Sequence, residues 1–225
     1  MSLGSPSLSP DAPTVSVTPD YADGLADRLF IWLFSRKIAN ALGQRTFPSG
    51  YDGFVALSQQ IPQGRSPHQQ QALVAVVLQS LVPAQVLWLI RQLFSPTQLV
   101  CELNAWFAAQ LFEWLVGPCD VVTVDVPQGE AVRQQRSGVH IQKCRYLEQS
   151  QCVGLCVNVC KLPTQRFFTE KFGIPLTMTP NFEDLSCEMV FGQVPPALET
   201  EAVYQQPCLE ACPSRRATVS GCSQV

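Results

Sequence analysis

Four of the ten cysteines in this 225-residue chain fall within seventeen positions, in the stretch CRYLEQSQCVGLCVNVCKLPTQ that begins at Cys144. Clustered thiols without a secretory signal ahead of them point to metal binding or redox chemistry in a reducing compartment rather than to a disulfide framework. Cys152, Cys156 and Cys160 are spaced i, i+4, i+8. On an ideal α-helix each step would turn the side chain by about 40° and raise it by about 6 Å, leaving the outer pair roughly 12 Å apart along one face, too far for one metal centre. Either Gly154 breaks the segment so that it wraps around a cluster, or neighbouring thiolates act together while the third serves elsewhere. Downstream, PCLEACP places Cys208 and Cys212 before Pro213 in a C-x3-C-P ending like that of bacterial ferredoxin motifs. With Cys144 and Cys187 this makes seven thiols in 69 residues, enough for one four-iron cluster and nearly enough for two. Ligand softness favours iron-sulfur over zinc, whose structural sites show two separated C-x2-4-C pairs. Cys101 and Cys119 lie apart and read as buried structural residues.

Other chemistries lack their apparatus. The chain has no GxSxG elbow, no HExxH and no glycine-rich phosphate loop, and only two histidines, His68 and His140. His140 is a minor candidate for a site role, and the Glu183-Asp184 pair before Cys187 for a supporting one. A net charge of -3 and the absence of any long Lys/Arg cluster exclude a nucleic-acid footprint.

The elements that must hold these thiols divide in two. Residues 1–20, rich in Ser and Pro, read as a disordered lead-in with neither a secretory signal nor a transit peptide. From 21 to 117 the pattern is helical. Asp23 to Leu42 forms one helix, Ser66-Pro67 and Ser95-Pro96 are helix starts, Pro83 opens another, and the stripe of Leu99, Val100, Leu103, Trp106, Phe107, Leu111 and Trp114 ends at Gly117. Between Ser66 and Val116 only Arg91, Glu102 and Glu113 are charged. Three helices so poor in ions must meet something apolar: one another and the second half, or a greasy ligand or lipid. No uninterrupted apolar run is long enough to span a bilayer. Residues 118–225 change texture: CDVVTVDVP, GVHIQKCRYL and LSCEMVFG predict three short strands, and PTQRFFTEKFG a helix opened by Pro163 and closed by Gly173. The expected fold class is α+β, an N-terminal helical layer packed on a small cysteine-rich module.

The blocks CRYLEQSQCVGLCVNVCKLPTQRFF, PLTMTPNFEDLSCEMVFGQVPP and PCLEACP, in that order between Val139 and Pro213, resemble the C-terminal domain of the dwarf twenty-seven family of β-carotene isomerases. The resemblance implies an iron-containing enzyme that interconverts all-trans and 9-cis β-carotene. It carries over Cys144, Cys152, Cys156, Cys160, Cys187, Cys208 and Cys212 as metal-binding residues, for one 4Fe-4S cluster or two. It implies an apolar polyene as partner; the low charge of the helical layer and two tryptophans in one helix point to peripheral membrane contact, and an electron donor is a further candidate partner. The missing transit peptide suggests a cyanobacterial source, cytoplasmic or peripheral to the photosynthetic membrane; a processed plant or algal chain would place the protein in a plastid. Two other functions fit the residues: an iron-sulfur electron carrier, and a non-catalytic carotenoid-binding protein braced by zinc or disulfides.

Overall fold

The structure is a computed structural model that describes residues 21–93, 95–129, 131–197, 200, 201, 203, 206–209 and 212. The expected lead-in and most of the tail lie outside the described residues.

Helices come first. They are α1 (Leu25–Ala41), α2 (Gly50–Ser58), α3 (Pro67–Gln79), α4 (Ala84–Leu93), α5 (Gln98–Leu111) and the single turn α6 (Glu113–Val116). The Ser66 start is built as the residues foretell: its hydroxyl accepts from the Gln69 amide while the Gln69 side chain answers to the Ser66 backbone, with Pro67 at the first helical position. At the next start the cap moves two residues on, to Thr97, whose hydroxyl accepts from Val100. The expected Leu99 to Trp114 helix is broken at Phe112, so that Trp114 sits on α6. Gly117, at φ 84°, then turns the chain into the sheet, a conformation that strains any residue with a Cβ.

Four antiparallel strands follow: β1 (Cys119–Gln128), β2 (Ala131–Ile141), β3 (Leu176–Pro180) and β4 (Cys187–Phe191), in the order β1-β2-β4-β3. β3 is an addition to the three expected strands. The expected strand over GVHIQKCRYL stops at Ile141, and Arg145–Ser150 is instead a helix, α7, with Cys144 at its N-cap. Between β2 and β3 the chain is almost continuously helical: α8 (Val153–Leu155), a π-helical segment (Cys156–Lys161), α9 (Leu162–Phe167) and a second π segment (Phe168–Phe172), closed by Gly173 at φ 76°. Such π turns are rare and gather at functional sites. The first has a local cause. Pro163 has no N–H to donate, and the Leu162 amide reaches back five residues to the Val157 carbonyl, widening the turn just before the proline.

Helical layer and sheet share one core, running from Ile31 on α1 through Cys101, Trp114, Val139 and Leu176 to Phe191 and Cys212. α5 lies against β2, α3 against α9 and the first π segment, and α2 against α7.

Candidate functional site

Cys144, Cys156, Cys160 and Cys187 converge from three parts of the second half: the N-cap of α7, the first π segment and the start of β4. The four sulfurs lie close enough to perturb one another's ionisation. Burial raises the Cys156 thiol well above its usual range, and Cys160, Cys187 and Cys144 add to the rise. Cys187 is raised in the same way, by burial and then by Cys144 and Cys160. Cys160 is pushed up to about 12, by burial and by Cys144. Left to themselves these groups are protonated thiols at neutral pH.

Several features favour the thiolate form against that trend. The backbone amides of Leu147 and Tyr146, at the start of α7, point at the Cys144 sulfur, and the Thr179 backbone at that of Cys187. Lys161 lowers both Cys156 and Cys187. Its ammonium is 2% exposed and donates to Glu201 at 2.6 and 2.8 Å and to Gln165 at 3.1 Å, so the cation is itself compensated. Arg145, beside Cys144, is equally buried. It pairs with Asp23 at 2.5 Å, donates to the Trp114 carbonyl at 3.3 Å, and stacks 3.6 Å from the Tyr51 ring centre.

Of the remaining predicted ligands, Cys152 is buried on the same side, near the Tyr146 phenol that also senses Cys160 and Cys156. It precedes α8 in extended conformation, after Gln151 in the left-handed region, so the expected i, i+4, i+8 helical face does not form. Cys212 is buried in the common core. Cys208 is partly buried against the same core. Cys101 and Cys119 have local roles, Cys101 packing under Gly192 and Cys119 donating to the Ala109 carbonyl. His140 faces Glu188 on the solvent side of the sheet, 4.0 Å away, and Asp184 caps the backbone of Ser186.

Among the described residues no three Cys, His, Asp or Glu side chains are arranged to hold a single metal ion. What the quartet offers is four soft sulfurs at mutual electrostatic range, with backbone N–H groups aimed at two of them. Soft sulfur donors of this kind are the ligands of both zinc and iron-sulfur centres.

One of the four, Cys160, lines a cavity of about 440 Å³ between the helical layer and the sheet. Cys160 and Tyr146 belong to its wall, together with Phe34, Phe54, Trp114, Phe167, Phe168, Phe172, Met178 and aliphatic residues from α1, α3 and α5. No charged side chain lines it. Its few polar groups are partly turned away: Ser58 donates to the Phe54 carbonyl and Asn104 to Val100. The Tyr146 hydroxyl is buried beside Ser58, and burial raises its ionisation. An aromatic succession, Tyr146–Phe54–Trp114–Phe34, follows the wall with ring centres 5.9, 5.6 and 4.9 Å apart. Reasoning from the sequence foresaw the sulfurs and an apolar layer. It missed Arg145, Tyr146, Lys161 and Glu201; the one signal available was that charged residues are rare here and flank two of the cysteines.

Cys160, one of four neighbouring thiols, thus faces an apolar cavity that no charged side chain among the described residues lines. Residues 114–200 match the family model described as "Beta-carotene isomerase D27-like, C-terminal". The chain is 36% identical over 209 residues to the protein named "Beta-carotene isomerase D27, chloroplastic" of Medicago truncatula, covering 93% of this chain and 81% of the relative. The protein of the same name from Arabidopsis thaliana is 36% identical over 196 residues, 86% of this chain and 73% of the relative. No solved structure matches significantly. The chain belongs to the D27-like β-carotene isomerase family, as its three sequence blocks suggested.

Proposed function

We propose that this protein is an iron-dependent carotenoid cis-trans isomerase that interconverts all-trans and 9-cis β-carotene. The observation that carries the reading is the charge-free cavity with Cys160 in its wall. A carotene is hydrocarbon, gives an acid or base nothing to grip, and is held by apolar surface alone. At about 440 Å³ the cavity is within the roughly 300–1,000 Å³ of small-molecule sites and takes part of a long polyene, the rest extending past Phe107, which lines the cavity yet is 54% exposed.

Cys144, Cys156, Cys160 and Cys187 would hold the iron as a cluster, with Cys152 as a reserve ligand. Such a centre, when bound, supplies an electron-exchange partner, which lowers the bond order of a conjugated double bond and so its barrier to rotation; each 1.4 kcal/mol or so is worth tenfold in rate. The chain's own residues do the rest. Phe54, Trp114, Phe167 and Phe168 grip the polyene on both sides of the turning bond and exclude water, Cys160 sets the distance between substrate and sulfur, and Lys161 offsets the negative charge of the thiolates. The reaction is redox-neutral, so turnover consumes no external electron. The curated relatives are named as chloroplast proteins, and a plastid is the setting we favour for this one.

The test is oxygen-free purification with iron and sulfide counts and a visible spectrum, followed by chromatography of β-carotene isomers after incubation. Iron bound together with sulfide, and isomerisation that follows the iron content, are expected. Iron-free protein working at full rate would refute the mechanism. A second reading, a carotenoid-binding protein without metal, draws support from the lack of a compact ion site among the described residues; tight β-carotene binding by metal-free protein with no change of isomer would favour it.

A further inference from the structure

We infer that the exposed faces of α1 and α5 beside the cavity, together with that of α4, dock on the surface of an anionic lipid bilayer, a partner that rests on the carotene reading because such a hydrocarbon is stored in membranes. Three of the chain's four tryptophans are exposed on these helices, Trp32 at 47%, Trp88 at 64% and Trp106 at 57%. A ring with an apolar body and one polar N–H is suited to the boundary between headgroups and acyl chains. The exposure is organised. On α1, Leu25, Leu29 and Trp32 recur at helical spacing, and on α5 Leu99, Leu103 and Trp106 repeat the same four-then-three steps. Each stripe lies beside the residues with which its helix lines the cavity, Phe30 and Leu33 on α1 and Asn104 on α5, while Phe107 belongs to both surfaces.

Charge selects the partner. On α1, α4 and α5 there are four Arg or Lys, Arg28, Arg36, Lys37 and Arg91, against two acids, Asp27 and Glu102, although the chain as a whole carries -3. Arg36 lies 5.3 Å from the centre of the Trp32 ring, an interfacial pairing of cation and indole. A bilayer with anionic headgroups satisfies both the apolar stripes and the basic excess, whereas apolar area alone would suit a second copy equally well. The contact is peripheral. No single described helix is long and apolar enough to cross a membrane, and α3 with α4 meets the requirement only as a pair bent by 84°.

The experiment is flotation of the purified full chain with vesicles of phosphatidylglycerol and phosphatidylcholine, or of phosphatidylcholine alone, at low and high salt. Wild type should float with the mixed vesicles at least tenfold better than with neutral ones, and the preference should fade with salt. The double variant Trp88→Gln/Trp106→Gln, neither residue lining the cavity, should lose at least tenfold in vesicle affinity. It should keep its melting temperature and its conversion of β-carotene supplied in detergent micelles. Arg28→Gln/Arg36→Gln should lose the preference for anionic lipid. Wild type that fails to float, variants that float like wild type, or a dimer in sedimentation that Trp88→Gln/Trp106→Gln dissociates would each overturn the inference. Flotation with no micellar isomerisation would leave docking standing and remove the enzymatic reading.

Discussion

The sulfur-rich end of the core and the cavity beside it are built from adjoining side chains, yet they treat charge in opposite ways. Around the quartet the fold buries two cations, Arg145 and Lys161, each closed by a carboxylate, Asp23 or Glu201. Around the cavity it buries none. Burying an ion pair costs several kcal/mol per ion in desolvation and is seldom a route to stability. Of the two cations, Lys161 lowers Cys156 and Cys187, while Arg145 is taken up by Asp23, the Trp114 carbonyl and the Tyr51 ring. The amides aimed at Cys144 and Cys187 act in the same sense. One end is prepared to carry negative charge, the other to exclude it.

The largest effect expected from disturbing this division is at the sulfurs. On the proposed reading, Cys156→Ser and Cys187→Ser should shed iron or shift its visible spectrum and lower isomerisation more than 100-fold, with Cys101→Ser close to wild type in both. Equal losses in all three would mean that the quartet is no more than packing. Next comes Lys161→Met, which leaves the Glu201 carboxylate buried and unpaired and should cost about 3–5 kcal/mol in urea denaturation. Lys161→Met/Glu201→Leu should recover most of that stability. If the cation serves the thiolates, the double variant should still hold iron more weakly than wild type; equal iron affinity would reduce the pair to a structural clamp.

A pH series sharpens the same contrast. In metal-free protein the Cys160 thiol has its ionisation raised from 9.0 to about 12, and burial raises Cys156 and Cys187 too. The unfolded chain then gives up these protons first, so their contribution is fully present below about pH 9 and is lost as pH climbs toward 12. At pH 10 the loss is about 1.4 kcal/mol for each thiol that the fold keeps protonated. Urea denaturation at pH 7.5 and pH 10 should show it, and Cys160→Ala should shrink it. Loaded with iron, the same protein should lose the effect, because metal-bound sulfur is already deprotonated.

How far the residues foretold this arrangement depends on the range of the interaction. Ser66 with Pro67 and Gln69 writes a helix start within four positions, and the start is where it should be. The grouping of seven thiols was legible in composition and local spacing, and the structure brings four of them, Cys144, Cys156, Cys160 and Cys187, into one region. The strand expected over GVHIQKCRYL failed past Ile141 because β-branched content says nothing of where a chain turns. There Cys144 donates its amide to the Leu185 carbonyl, forty-one residues on, and opens a helix. Leu176–Pro180 escaped notice because a five-residue edge strand ending in proline carries little period-2 signal. The widened turn at Cys156–Lys161 has a readable cause in Pro163, but its effect on where the cysteines point needs coordinates. The pairing of Arg145 with Asp23 spans 122 residues and that of Lys161 with Glu201 spans 40, and no pattern in one chain couples positions so distant.

The smallest expected effect tests the apolar side. Leu78 lines the cavity at the end of α3 and is only partly buried, so Leu78→Trp can fill space without forcing the core apart. Melting temperature and iron content should stay near wild type, since Leu78 is at the C-terminal end of α3 and is not one of the sulfur residues. Affinity for β-carotene, read by quenching of tryptophan fluorescence, should fall about tenfold, equivalent to about 1.4 kcal/mol of lost apolar contact. Leu78→Glu should fall further at similar volume, because an uncompensated carboxylate would face hydrocarbon. Binding that tolerates the glutamate as well as the tryptophan would place the ligand outside this cavity and leave the absence of charge there without a purpose.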